Sequence, residues 1–232
     1  GETYSYRVKA VYDGGISDPT ETVTVTPFAP ITVPGPVNFT ASANGWIVNL
    51  EWEHPDAVLV TNAYSEDFET GTLGSMITEN LSADGGSVWE VGTFDDSYSY
   101  YFNTGEHSLM AFINDDLYGD GSPATNTRLS SQSVELGGLS SDEIMQLSLT
   151  GDLYYRQPSG GCDGESVYAE ELELLVAVSG GDFVSRGLMA TTDGWEMMDI
   201  PLGLAGNESS VRIGLRYHDC GGNWSYGVAV DN

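Results

Sequence analysis

The sequence predicts an all-β chain built as a two-sheet sandwich. Three observations carry this reading: apolar residues recur at every second position in several short runs, glycine occurs 29 times in 232 residues, and the period of an amphipathic helix is nearly absent beyond Tyr64. Short alternating strands between closely spaced turns cannot bury a face alone, so they pair into sheets that stack. At 232 residues there is room for one large sandwich or several smaller modules.

In residues 1–27, Tyr4, Tyr6, Val8 and Ala10 share one face, and Ser5, Arg7 and Lys9 share the other. Asp13-Gly14-Gly15 is a hairpin turn, and Glu21 to Thr26 is a second alternating strand. Residues 28–36, following Pro27, form a stiff proline-rich linker. Residues 37–60 hold two more strands, around Val37 to Ala41 and around Val48 to Trp52, and the third strand of that pattern never follows. From residue 61 to 232 the clearest strands are Glu143 to Leu149, Tyr168 to Val178 and Val211 to Tyr217. In the last of these Val211, Ile213, Leu215 and Tyr217 face one way and Arg212 and Arg216 the other.

The chain carries 35 acidic against 7 basic residues, a formal net charge of -28. Such a surface repels phosphate backbones and anionic lipid, which argues against nucleic-acid binding, and it attracts cations. No apolar run approaches the length of a membrane span, so membrane insertion is not expected. The first residues read as the interior of a domain, and the chain stops at Asn232 in mid-strand. The expectation is an excerpt of a larger secreted, multidomain polypeptide, with other domains of the same polypeptide as neighbours.

Tyr4 to Pro27, with its Tyr-x-Tyr-x-Val-x-Ala strand and Gly-containing turn, resembles the end of a fibronectin type III domain. Residues 37–60, with Trp52 as core tryptophan and Pro55 closing the strand, resemble the start of a second one. From residue 61 onward the chain resembles the choice-of-anchor J and cleaved adhesin group. Phe68-Glu69-x-Gly71, Trp89, Ala111 to Asp116, Leu129 to Leu136 and the closing Gly227-Val228-Ala229-Val230-Asp231 carry that resemblance. Ser75-Met76 and Cys162 depart from the pattern. The resemblance implies a jelly-roll β-sandwich, and a structural calcium where its first and last strands meet, held by Glu69 and Asp231 with Asp67 nearby. A second oxygen-rich segment, Asn114-Asp115-Asp116 with Asp120-Gly121, lacks EF-hand spacing and reads as a loose calcium loop or a solvated turn.

Cys162 and Cys220 sit in glycine loops, and a disulfide is expected if the protein is extracellular. Two free thiols, or a partial metal site with His218, are the alternatives. Glu170 shares the face of Leu172 and Leu174, and if buried would need Arg156, Arg212 or a metal as partner. No zinc-peptidase, nucleophile-elbow or cysteine-nucleophile motif is present, so no enzyme is expected. Trp195, Trp224 and Tyr226, with the run Tyr98-Ser99-Tyr100-Tyr101, offer flat surfaces for sugar rings or fill cores. The functional expectation is a non-catalytic adhesion or accessory module, calcium-stabilised, that takes an extracellular protein or glycan ligand. A carbohydrate-binding module that targets an enzyme to polysaccharide, or a structural repeat of a surface filament, is the alternative.

Overall fold

The computed structural model describes residues 4–7, 9, 11–12, 15–25, 37–44, 47–53, 62–83, 85–117, 123–156, 162 and 169–232. The proline-rich stretch 28–36, Pro55, Asp120 and Gly121 lie outside them. The chain divides into two compact units, Gly1–Thr61 and Asn62–Asn232.

In the first unit β1 (Tyr4–Tyr6) pairs with β4 (Val23–Val25), and β2 (Val11–Tyr12) pairs with β3 (Gly15–Ile16). β1 and β4 fall within the two strands expected in residues 1–27, and Val8, Ala10, Asp13 and Gly14 lie outside the described residues. A longer hairpin joins β5 (Val37–Asn44) to β6 (Ile47–Glu53), which contains Trp52.

The second unit begins with β7 (Ile77–Asn80), β8 (Glu90–Gly92), α1 (Phe94–Ser97), β9 (Met110–Asn114), β10 (Asn126–Ser130), β11 (Val134–Glu135) and α2 (Ser141–Met145). It continues with β12 (Ser148–Tyr155), β13 (Glu171–Val178), β14 (Val184–Leu188), β15 (Trp195–Pro201), β16 (Ser210–His218) and β17 (Gly227–Asp231). One antiparallel sheet runs β14-β13-β16-β10-β7, with β11 also paired to β16; the other runs β15-β12-β17-β9-β8. Most spatial neighbours are distant in sequence, as in jelly-roll-like sandwiches.

Period-two alternation builds the core. Leu172 and Leu174 of β13 with Leu215 and Tyr217 of β16 meet Ala111, Ile113, Leu153, Tyr155, Val228 and Val230 of the facing sheet. The inward face expected for Val211, Ile213, Leu215 and Tyr217 is the observed one. Burying each such side chain stabilises the fold by roughly 1.5–3 kcal/mol. Phe102, Met110, Phe112, Tyr154 and Ala229 form a further cluster, with Trp195 packed against it.

One expected strand is corrected. Glu143 to Leu149 does not form a single strand: Ser141–Met145 is helical, and β12 begins at Ser148. The cause is a capping box. Ser140 Oγ accepts the Glu143 N–H at 3.4 Å, and the Glu143 carboxylate accepts the Ser140 N–H at 2.7 Å. Ile144 anchors this turn in the core.

Strand register brings distant segments to one end of the sandwich. Gly227 lies opposite Asn114, and His218 lies opposite both Asn126 and Glu171. Five strand ends and the loops beyond them therefore meet there.

Candidate functional site: an aromatic rim over buried carboxylates

The loops that meet at this end carry a cluster of four aromatic rings. Tyr101 and Tyr226 stack in parallel, 5.3 Å between centroids and 6° between planes. Trp224 meets Tyr101 edge-on at 4.8 Å, and Tyr100 does the same from the other segment at 4.7 Å. Tyr100 is 79% exposed and Tyr101 39% exposed. The Asp116 carboxylate ties the two loops together: it accepts Trp224 Nε1–H at 2.9 Å and the Tyr101 N–H at 3.0 Å. The N–H groups of Asp115 and Asp116 both donate to the Tyr226 carbonyl. The Trp224 ring and the backbones of Tyr101 and Tyr226 are thus tied to the 115–116 segment, which limits the entropy lost when a ligand settles on these rings.

Below the rim lie three fully buried carboxyl groups, Asp115, Glu170 and Asp219. Asp219 accepts the N–H groups of Gly221, Gly222 and Thr125 at 3.1, 3.0 and 2.9 Å. Thr125 Oγ1 in turn donates to Asp115 Oδ1 at 2.7 Å. Glu170 Oε2 accepts Tyr217 O–H at 2.6 Å and the N–H groups of Tyr226 and Gly227 at 2.9 and 3.0 Å. Desolvation pushes Glu170 up to about 8, against the pull of these donors and with help from the Asp115 charge. Desolvation likewise raises Asp115 to about 7, with Thr125 opposing and the Asp219 charge adding. Glu170 is buried, as its place in the alternation implied, and its carboxylate accepts from a tyrosine and two backbone amides.

Cys162 and Cys220 form a disulfide with Cα atoms 5.2 Å apart. This decides between the bridge, free thiols and a partial metal site as the state of the two sulfurs. Glu171 fastens the bridge: its carboxylate accepts the Cys162 N–H at 2.8 Å and lies 3.1 Å from His218 Nε2. Burial, followed by the nearby Arg216 charge, lowers the His218 pKa, with Glu171 opposing. Among the described residues, Cys162, His218 and Cys220 are the one group of three His, Cys, Asp or Glu with ligand atoms within 4.8 Å of one another.

The other candidate residues make contacts of their own. Asp67 and Glu69 are exposed, and Asp67 Oδ1 accepts the Glu69 N–H at 3.2 Å. Asp231 is buried, with Oδ2 accepting Ser108 Oγ–H at 2.6 Å and lying 3.1 Å from His107 Nδ1. These three acids form no common cluster among the described residues. Ser108, His107 and Asp231 do not form a catalytic triad either. Serine and aspartate both face Nδ1 of the imidazole, whereas a relay needs them on opposite nitrogens. Trp195 stands over His107 at 3.9 Å and donates Nε1–H to the Thr104 carbonyl, so it is committed to packing.

Of the sequence candidates, the structure brings Trp224, Tyr226, Asp115 and Asp116 together and adds Tyr100, Tyr101, Thr125, Tyr217 and Asp219. Asp219 carried a legible local signal, an acid followed by two glycines whose amides it accepts. No local signal joined it to Asp115, which is 104 positions away in sequence.

No family model matches this chain, and no curated protein does. Solved structures resemble it only remotely, among them the following three. A structure of TmCBM61 in complex with β-1,4-galactotriose is 14% identical, with 71% of this chain and 90% of that one covered and a TM-score of 0.42. The enzymatically active domain of bacteriophage CBA120 tailspike protein 4 is 9% identical, with coverage of 73% and 20% and a TM-score of 0.39. A structure of carbohydrate-binding modules of the β-sandwich superfamily with promiscuous specificity is 13% identical, with coverage of 99% and 72% and a TM-score of 0.35. The strand pairing given above establishes the sandwich independently of these likenesses.

Proposed function

We propose that the second unit is a non-catalytic glycan-binding module whose ligand lies on the rim of Tyr100, Tyr101, Trp224 and Tyr226. The single observation that carries this reading is the clasp at Asp116. It fastens the segment of the exposed Tyr100 and Tyr101 to the partly buried Trp224, one carboxylate oxygen accepting the Tyr101 backbone N–H and the other the Trp224 indole N–H. Tyr100 offers an open ring face, and the Tyr226 and Tyr101 pair offers an edge with two phenol groups that donate and accept hydrogen bonds. Sugar rings need this combination of apolar faces and polar rims. The formal charge of -28 repels sulfated or uronic-acid polymers, so the ligand class is a neutral polysaccharide. In a larger secreted polypeptide such a unit serves as an accessory or adhesion module. The disulfide suits an oxidising compartment, and no helix among the described residues is long and apolar enough to cross a membrane.

The test is affinity electrophoresis and calorimetry of the intact chain against neutral galactans, glucans, mannans and xylans. Retardation on at least one of them is expected, and Tyr100→Ala should weaken it tenfold or more, about 1.4 kcal/mol. Trp195→Ala should leave affinity within about threefold of the parent. No retardation on any neutral polymer, or equal affinity after Tyr100→Ala, refutes the reading.

A further inference from the structure

We propose that Cys162, His218 and Cys220 form a zinc site once their bridge is reduced, so that a metal ion replaces the disulfide in joining the two loops. The two sulfurs and His218 Nδ1 lie within 4.8 Å of one another, and Nδ1 stands 3.3 Å from Cys162 Sγ. Sulfur and nitrogen ligands of a tetrahedral zinc ion are separated by roughly 3.5–3.8 Å. The imidazole is therefore near ligand spacing already, and the sulfurs need only turn apart from bonding distance.

The three ligands are held by restraints that do not pass through the bridge. Glu171 of β13 lies opposite His218 of β16 in the sheet register. One Glu171 oxygen accepts the Cys162 N–H at 2.8 Å, and the other lies 3.1 Å from His218 Nε2. With its proton on Nε2, the imidazole donates to this carboxylate and presents the Nδ1 lone pair towards the sulfurs, as a metal ligand must. Cys220 sits in a turn closed by Asp219, whose Oδ1 accepts the N–H groups of Gly221 and Gly222. All three ligand residues are partly exposed, which gives a reductant and an ion access. Two thiolates and an imidazole select zinc over calcium or magnesium, and water completes the fourth position. The formal charge of -28 favours the approach of a cation.

A dithiol or a phosphine opens the bridge by supplying two electrons. The reductant leaves as its own disulfide, or as phosphine oxide with water supplying the oxygen, and each cysteine sulfur takes one proton. Zinc then displaces both thiol protons to solvent. The site is independent of any glycan on the aromatic rim.

The experiment uses the intact chain, reduced with a phosphine and freed of metal, then titrated with cobalt(II) chloride and afterwards with zinc chloride. The reduced parent is expected to show thiolate-to-cobalt charge transfer and the intense visible bands of tetrahedral cobalt, and zinc should bleach both. The oxidised parent should show neither. His218→Ala should weaken zinc at least tenfold, and Glu171→Gln about tenfold with the charge-transfer band retained. In concentrated urea the reduced parent should lose the bands, because cysteines 58 positions apart no longer converge. No charge transfer in the reduced parent, whether or not reduction unfolds it, would overturn the proposal. Bands that persist in urea, or unchanged zinc affinity in either variant, would do the same. The spectra of the parent decide the matter even if a variant does not fold.

Discussion

Breaking the Cys162–Cys220 bridge tests how the two loops at the functional end are held. The cysteines are 58 positions apart, so the bridge closes a long loop in the unfolded chain. The loop-closure relation for that length gives an entropy difference of about 14 cal/mol/K, or about 4 kcal/mol at 25 °C. In the folded protein the bridge spans the 162 segment and the loop after β16. The first is also held by Glu171, and the second by the three amides on Asp219. The folded structure therefore has other restraints, and the loss falls mainly on the unfolded state. For a unit of this size 4 kcal/mol corresponds to a fall in Tm of about 8–16 °C. The assay is calorimetry of the Cys162→Ser/Cys220→Ser double variant beside the parent. Near-equal melting temperatures would refute the entropic account. So would a large fall that comes with lost glycan affinity at low temperature, since that would place the effect in the folded state.

Further outcomes concern the buried carboxyls and the strand end beside them. The folded pKa of Glu170 lies above its unfolded value, so its contribution to stability is fully present below the ordinary carboxylate pKa and is lost as pH rises towards about 8. Glu170→Gln should therefore remove up to about 1.4 kcal/mol per pH unit of slope across that window, read from urea midpoints; an unchanged slope would show that Glu170 titrates normally. Gly227 has φ +122°, and a Cβ there would clash with the Ile113 carbonyl oxygen in the paired strand. Gly227→Ala should cost roughly 3 kcal/mol or more by separating β17 from β9, and a variant that melts with the parent would contradict this.

Much of the architecture was legible because burial on one face imposes a period of two. Val211 to Tyr217 and Val228 to Val230 show that period, and their side chains pack between the sheets as it requires. The reading failed at Glu143, where the Ser140 capping signal was present locally and a strand was expected in its place. The site was legible in fragments. Trp224, Tyr226, Asp115 and Asp116 stand out by residue type, and nothing local says which ring the tyrosine run meets.

Composition, alternation and cysteine placement determine on their own an acidic, all-β chain with glycine loops able to carry a disulfide. Only the tertiary structure decides that Tyr101 stacks on Tyr226, that Asp116 clasps Trp224, and that Asp115, Glu170 and Asp219 share one buried end. The physical reason is register. Pairing Gly227 with Asn114, and His218 with both Asn126 and Glu171, brings together loops up to about a hundred positions apart. Long-range strand pairing of this kind depends on how two faces pack over the whole sheet, and no local stretch of sequence encodes it.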